Sequence, residues 1–264
     1  MSTDFDNRPK IMKDKSFILE VLCQNFRKHK KKTTIKEKRC QMIIFDDRKR
    51  TDYLFDLDGT LTDPGEGITN SVMYSLRRFG IEIEEKDRAK LYPFIGPPLY
   101  QSYMKYYGFS RADAEKAVSV YREYFSDKGL FENELYPGCA EMLAALSEHG
   151  RVFLATSKPA VFARKILAHF DLARYFTFVA GSELDGRRID KAEVIGYALS
   201  DGGAVRENSV MTGDRSHDIL GAKAAGIPSV GVLYGYGNEK ELRDAGADFI
   251  VSDLPELAGL LADQ

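Results

Sequence analysis

Asp56 and Asp58, separated by one residue, close the short apolar run Tyr53-Leu54-Phe55 and lead straight into Gly59 and Thr60. Side chains two apart on a strand project to the same side, so both carboxylates can face one site. Carboxylates held side by side repel, and a cation or a proton between them relieves the repulsion. Gly59 permits a sharp turn, and the Thr60 hydroxyl is placed to orient a neighbouring carboxylate. A second acidic stretch, Gly213-Asp214-Arg215-Ser216-His217-Asp218, ends the run Ser209 to Thr212 and adds two acids four residues apart at the start of a helix. Between these stretches, Thr156-Ser157-Lys158-Pro159 offers hydroxyls and a helix N-terminus for an anion, and Lys191 offers a point positive charge.

Together these residue types describe phosphoryl chemistry. Hard oxygen ligands such as Asp56 and Asp214 suit Mg²⁺, which keeps waters and accepts substrate phosphate oxygens in its shell. An ionised carboxylate is a nucleophile that needs no activating base. A second carboxyl can protonate the leaving oxygen and later activate water. The demand is severe, because uncatalysed phosphate-monoester hydrolysis needs accelerations of up to ~10²¹-fold.

Such side chains need a scaffold that brings distant strand ends together. Six short apolar runs read as buried parallel strands: Tyr53 to Phe55, Val152 to Ala155, Phe176 to Ala180, Ser209 to Thr212, Ser229 to Leu233 and Asp248 to Val251. Helical patterns separate them. One opens at Pro137-Gly138 and closes at Gly150, one runs from Pro159 to about Phe170, one spans Lys191 to Leu199, and one spans His217 to Ala225 with Gly226 as its stop. This alternation predicts an α/β fold with an open, doubly wound parallel sheet, whose ligands sit beyond the carboxyl ends of the strands. Residues 66–135 break the pattern and read as helices alone: Glu66 to Phe79 with Gly80 as its stop, and a helix capped by Ser110 and Asp113 that Gly129 ends. They predict an inserted helical cap domain, with the core formed by residues 51–65 and 136–264. Phe94-Ile95-Gly96-Pro97-Pro98 reads as a stiff loop inside the cap. Tyr100, Tyr103, Tyr106 and Tyr107 are spaced for helix packing, His217 reads as a helix-start residue, and Arg77 and Arg78 as solvated.

Charge is unevenly distributed along the 264 residues. Residues 1–50 hold 15 Lys and Arg against 7 Asp and Glu, whereas residues 51–264 hold 23 against 33. The leader is expected to be a basic, disordered extension. Its apolar run Phe17 to Phe26 is interrupted by Glu20 and followed by its strongest cationic cluster, the reverse of a secretory signal. Met42 stands shortly before the first strand, and residues 1–41 are expected to be a dispensable extension or a mis-assigned start. The acidic body disfavours nucleic acid as a partner. No run of ~18 apolar residues exists to span a membrane. The three cysteines, Cys23, Cys40 and Cys139, are scattered and odd in number, which fits a reducing, cytoplasmic compartment.

The segment Phe55-Asp56-Leu57-Asp58-Gly59-Thr60-Leu61-Thr62-Asp63 resembles the first motif of the haloacid dehalogenase superfamily. Thr156 matches the second motif, Lys191 the third, and Gly213-Asp214 with Asp218 the fourth, in the same order and at strand ends. The resemblance covers about residues 51–264 and implies a Rossmann-like core with the family's first type of helical cap. Residue by residue, it implies that Asp56 is the nucleophile and a metal ligand, and that Asp58 is general acid/base with its backbone carbonyl on Mg²⁺. It implies Asp214 as the remaining protein ligand, with Asp218 and Thr60 supporting. Thr156, the Ser157 backbone and Lys191 would hold the transferring phosphoryl group, and the cap loop around Gly96 would select the substrate. Family members that act on carbon–halogen or carbon–phosphorus bonds lack the second aspartate, so Asp58 favours phosphoesters.

The expected activity is therefore Mg²⁺-dependent hydrolysis of a small metabolite phosphomonoester through an aspartyl-phosphate. It is most like that of phosphoglycolate phosphatases, with 5′-nucleotidase or phosphosugar mutase as alternatives. The protein is expected as a monomer or homodimer. A signalling receiver module also phosphorylates an aspartate in an α/β sheet, but at ~120 residues it has no place for a helical insert.

Overall fold

Short apolar runs with no polar face suit strands covered on both sides, and six of them form one parallel sheet in the order β5-β4-β1-β6-β7-β8. The computed structural model describes residues 51–262; the expectations for the basic leader fall outside the described residues. The strands are β1 (Asp52–Phe55), β4 (Arg151–Pro159), β5 (Phe176–Ser182), β6 (Ser209–Gly213), β7 (Ser229–Val232) and β8 (Phe249–Val251). Every residue of β1, β6 and β7 is buried. Phe55 pairs with Leu154 on one side and Thr212 on the other. This register sets Asp56, Thr156 and Asp214, just past those positions, at one edge of the sheet. From β1 the chain winds to β4 and β5 on one side, and to β6, β7 and β8 on the other, so the site lies where the winding reverses.

Alternation along β1 sends its side chains into two cores. Tyr53 and Phe55 join the core formed by α4 (Cys139–His149), α5 (Ala160–His169) and α9 (Leu254–Ala262). Leu54 joins the core under α6 (Lys191–Ser200) and α7 (Ser216–Ala225), and α8 (Glu239–Ala245) packs on α7 through Leu242 and Ile219. Gly226, in the left-handed region at φ 70°, ends α7 where the sequence placed its stop.

Between β2 (Thr62–Asp63) and β3 (Glu134–Leu135), a two-stranded antiparallel ribbon, the chain is helical. It runs through α1 (Gly65–Arg77), a 3₁₀ segment at Glu85–Phe94, α2 (Leu99–Tyr107), α3 (Arg111–Tyr124) and a π turn at Phe125–Gly129. The Ser110 hydroxyl accepts from the Asp113 N–H at 3.1 Å and caps α3. The ribbon and the 3₁₀ segment carry no sequence period, one because two residues per strand are too few, the other because polar residues fill it. Tyr103 is fully buried, packed edge-on against Phe94, whereas Tyr106 is exposed. Arg77 pairs with Glu82 at the surface. Among the described residues no helix is long and apolar enough to cross a membrane.

Candidate active site

Asp56, Asp214 and Asp218 come together although 162 positions separate the first from the last: one carboxylate oxygen of each lies within 4.8 Å of the others. All three are buried. Asp56 directly follows β1, Asp214 directly follows β6, and Asp218 lies in the first turn of α7, where its Oδ2 accepts from the Arg215 N–H at 3.0 Å. The turn after Asp56 presses against Asp214. Gly59 has φ +81°, and a Cβ there would stand 2.2 Å from Asp214 Oδ2, so only glycine fits.

Lys191 Nζ is the cation inside this cluster. It lies 2.8 Å from Asp56 Oδ1 and 2.8 Å from Asp218 Oδ1, and donates to the Ala155 carbonyl at 3.0 Å. Burial alone would lower the ammonium pKa, but Asp218 and Asp56 outweigh it and hold Lys191 above the ordinary lysine range. With all three acids ionised, one lysine against three carboxylates would leave two negative charges in surplus. Burial, with Asp218 and Asp56 adding repulsion, drives the Asp214 carboxyl well above the usual range. Burial pushes Asp218 up to about 6 against the pull of Lys191. Asp214 Oδ2 accepts from the Tyr236 N–H at 2.7 Å, while its buried Oδ1 has no hydrogen-bond partner. A surplus of two charges, an orphaned carboxylate oxygen and an all-oxygen donor set fit a hard divalent cation.

Asp58 turns elsewhere. Its carboxylate is not in the three-acid cluster but pairs with Lys158 Nζ at 2.8 Å, both side chains largely buried. Asp218, read from the sequence as a supporting acid, lies with Asp56 and Asp214 in the cluster. Burial raises the Asp58 pKa, and Lys158 offsets only part of that rise. Lys158→Met should therefore cost about 3 kcal/mol at neutral pH by stranding a buried carboxylate. The sign follows from the raised pKa: the folded state takes up a proton more readily than the unfolded chain. Removing Lys158 raises that pKa further, so the loss should be full above the Asp58 pKa of the folded variant and should shrink as pH falls from there toward the lower Asp58 pKa of the unaltered fold. Urea unfolding of both proteins across pH checks this.

Thr156 Oγ1 is buried within β4, where its regular pairing stops, and accepts from the Lys158 N–H at 3.2 Å. Pairing between β4 and β5 is irregular between Thr156 and Pro159, which lets this stretch wrap the site. The Ser157 carbonyl accepts from the Ser182 hydroxyl at 2.7 Å. Thr60 departs from expectation: its buried hydroxyl has no hydrogen-bond partner and orients no carboxylate, while its carbonyl accepts from the Tyr234 hydroxyl at 3.0 Å. Sequence reasoning also missed Tyr236, whose hydroxyl bonds Asp63 while its N–H holds Asp214. Its flanking glycines just beyond β7, Gly235 and Gly237, were the available signal.

A cavity of about 550 Å³ separates the sheet edge from the helices between β2 and β3. Asp58, Ser157 and Lys158 line one wall, and Phe94, Tyr121, Phe125 and the Gly96 loop line the other. Phe125 stacks on Tyr121 and lies 4.9 Å beneath Lys158 Nζ. Tyr100 also reaches the cavity.

Residues 53–232 match the haloacid dehalogenase-like hydrolase family. A 5′-nucleotidase of Pseudomonas aeruginosa is 50% identical over 79% of this chain and 94% of that protein. The tyrosine-protein kinase PtkA of Mycobacterium tuberculosis is 40% identical over 75% of this chain and 64% of its own length. Phosphoglycolate phosphatase 1 of P. aeruginosa is 26% identical over 77% of each chain. The crystal structure of a predicted phosphatase from Clostridium acetobutylicum superposes with a TM-score of 0.78 at 45% identity, covering 81% of this chain and 99% of that one.

Proposed function

This chain belongs to the haloacid dehalogenase-like hydrolases and is a phosphatase, and from that premise we propose that it is a Mg²⁺-dependent hydrolase of nucleoside 5′-monophosphates. The observation that carries the substrate class is the cavity beside Asp58. Its volume of about 550 Å³ and its aromatic wall of Phe94, Tyr121 and Phe125 suit an aromatic base and a ribose better than the two carbons of glycolate. The 50% identity to a protein named 5′-nucleotidase supports the same choice and reverses the order in which the sequence ranked the two substrates. The single buried free thiol among the described residues, Cys139, agrees with a cytoplasmic setting.

In this reading Asp56 attacks phosphorus and forms an aspartyl-phosphate as the bond to the nucleoside oxygen breaks. The Asp58 carboxyl gives its proton to that oxygen, then takes one from the water that attacks the acyl-phosphate, which regenerates Asp56 and releases phosphate. Burial holds Asp58 above the usual carboxylate range, the direction a general acid needs. Lys191, Thr156 and the Ser157 backbone hold the non-bridging oxygens. Asp56, Asp214 and the Asp58 carbonyl would hold Mg²⁺, with Asp218 beside them, and the ion supplies charge that offsets repulsion between carboxylate and phosphate. The helices between β2 and β3 act as a cap domain over Asp58 and keep bulk water from the reaction.

Phosphate release from nucleoside 5′-monophosphates, phosphoglycolate and sugar phosphates at fixed Mg²⁺ tests the assignment. The nucleotides should exceed phosphoglycolate in kcat/KM by about tenfold or more, the range apolar contacts confer. A preference for phosphoglycolate would reject the nucleotide assignment, and conversion of a sugar phosphate without free phosphate would indicate a mutase.

A further inference from the structure

The turn that carries Asp214 is also the turn that touches the cap. Arg215 follows Asp214 at the head of α7, and its side chain leaves the acid cluster largely buried. Nη1 donates to the Ile95 carbonyl at 2.5 Å, and Nε donates to Glu241 Oε1 at 3.1 Å. That same Glu241 oxygen accepts from the Ser216 N–H at 2.8 Å and the Ser216 hydroxyl at 2.9 Å. One carboxylate thus holds both the guanidinium and the first turn of α7. Gly96, at φ +101°, sits against the arginine stem: a Cβ there would be 3.1 Å from Arg215 Cγ. A second guanidinium–carbonyl bond crosses the cavity wall, from Arg122 of α3 to the Leu184 carbonyl beyond β5 at 3.2 Å.

A guanidinium on a backbone carbonyl can be exchanged for water on both sides, so it suits a contact made and broken as a lid moves. Here the bond is made by the residue whose main chain joins Asp214 and bonds Asp218. Closure therefore restrains two of the three acids at once. We propose that Arg215 is a positioning residue that couples closure of the cap to the divalent-ion affinity of the Asp56–Asp214–Asp218 cluster. The proposal rests on the reading of that cluster as a Mg²⁺ site. Linkage makes the effect reciprocal: whatever factor closure adds to ion affinity, the ion adds to closure.

Two readouts on the full chain test it: calorimetric titration with Mg²⁺, and hydrogen exchange of the amides at residues 95–96 and 99. Arg215→Gln should weaken Mg²⁺ binding about tenfold, the loss expected for one charge-assisted hydrogen bond, and should speed exchange in that loop. Arg215→Lys should recover part of both. At saturating Mg²⁺, Arg215→Gln should raise KM more than it lowers kcat. Gly96→Ala provides a second route, because it changes no acid and nothing in the Asp214 turn, yet pushes on Arg215 from the cap. It should weaken Mg²⁺ binding in the same direction. Unchanged Mg²⁺ affinity in Arg215→Gln or Gly96→Ala, or weakened affinity with no change in loop exchange, would overturn the coupling. Absence of Mg²⁺ binding by the unaltered protein would instead overturn the metal reading, and the coupling with it.

Discussion

Asp56→Asn is expected to lower turnover by about 10⁴-fold or more, the scale seen when a covalent nucleophile is removed. The asparagine has nearly the same shape, so the end of β1 keeps its packing, but an amide oxygen is a poor nucleophile and forms no stable acyl-phosphate. Stability should move the other way, if at all. Asp56 is one of three buried acids facing a single lysine, and neutralising it removes one of the two surplus charges. The variant should therefore melt at or above the temperature of the unaltered protein when no divalent ion is added. Phosphate-release kinetics and thermal melts in EDTA check both halves. Retained turnover would remove Asp56 from the chemistry, and collapse of the fold would show that its role is structural.

Removal of the divalent ion carries the second large effect. EDTA should abolish activity and Mg²⁺ should restore it, with a difference of about 10³-fold or more, since a metal supplies several kcal/mol of charge stabilisation in such a transition state. The reason lies in the surplus. Among the described residues, Lys191 is the one ammonium paired with the three-acid cluster, through Asp56 and Asp218, and Asp214 keeps a buried oxygen without a hydrogen-bond partner. A dianionic ester brought beside them meets repulsion that the lysine alone cannot offset. The same argument makes the ion a stabiliser of the fold: at 100 times its Kd it should add about 2.7 kcal/mol by mass action. Activity and melting temperature measured in parallel with EDTA and with Mg²⁺ check this. A melting temperature indifferent to Mg²⁺ would place the ion outside the three-acid cluster.

Much of this arrangement is written in short-range signals. Each strand of the sheet is an apolar run bounded by glycine, proline or acid, and strand ends in a parallel α/β fold share one edge. Asp56, Thr156 and Asp214 could therefore be assigned to a common site before any distance was known. The tyrosines of α2 were read as packing, and Tyr103 packs while Tyr100 reaches the cavity. What stayed hidden depends on distant pairs. Lys158 meets Asp58 across 100 positions, and Arg215 meets the Ile95 carbonyl across 120. No period or spacing encodes such meetings, because they join segments far apart in sequence that only the complete fold brings together. Asp58 illustrates the limit: its place two residues after Asp56 suggested a shared site, but the spacing said nothing of Lys158 as the partner of its carboxylate. Thr60 shows the same limit, since a hydroxyl beside two acids in sequence bonds neither in space.

Trapping the covalent intermediate tests the nucleophilic role of Asp56 most directly. The enzyme is acid-quenched during turnover of a nucleoside 5′-monophosphate with Mg²⁺, reduced with borohydride and digested with trypsin. Mass spectrometry of the Thr51–Arg77 peptide should then find homoserine at position 56, the reduction product of an aspartyl-phosphate there. An unreduced Asp56 under active turnover, or homoserine at another aspartate, would contradict that role.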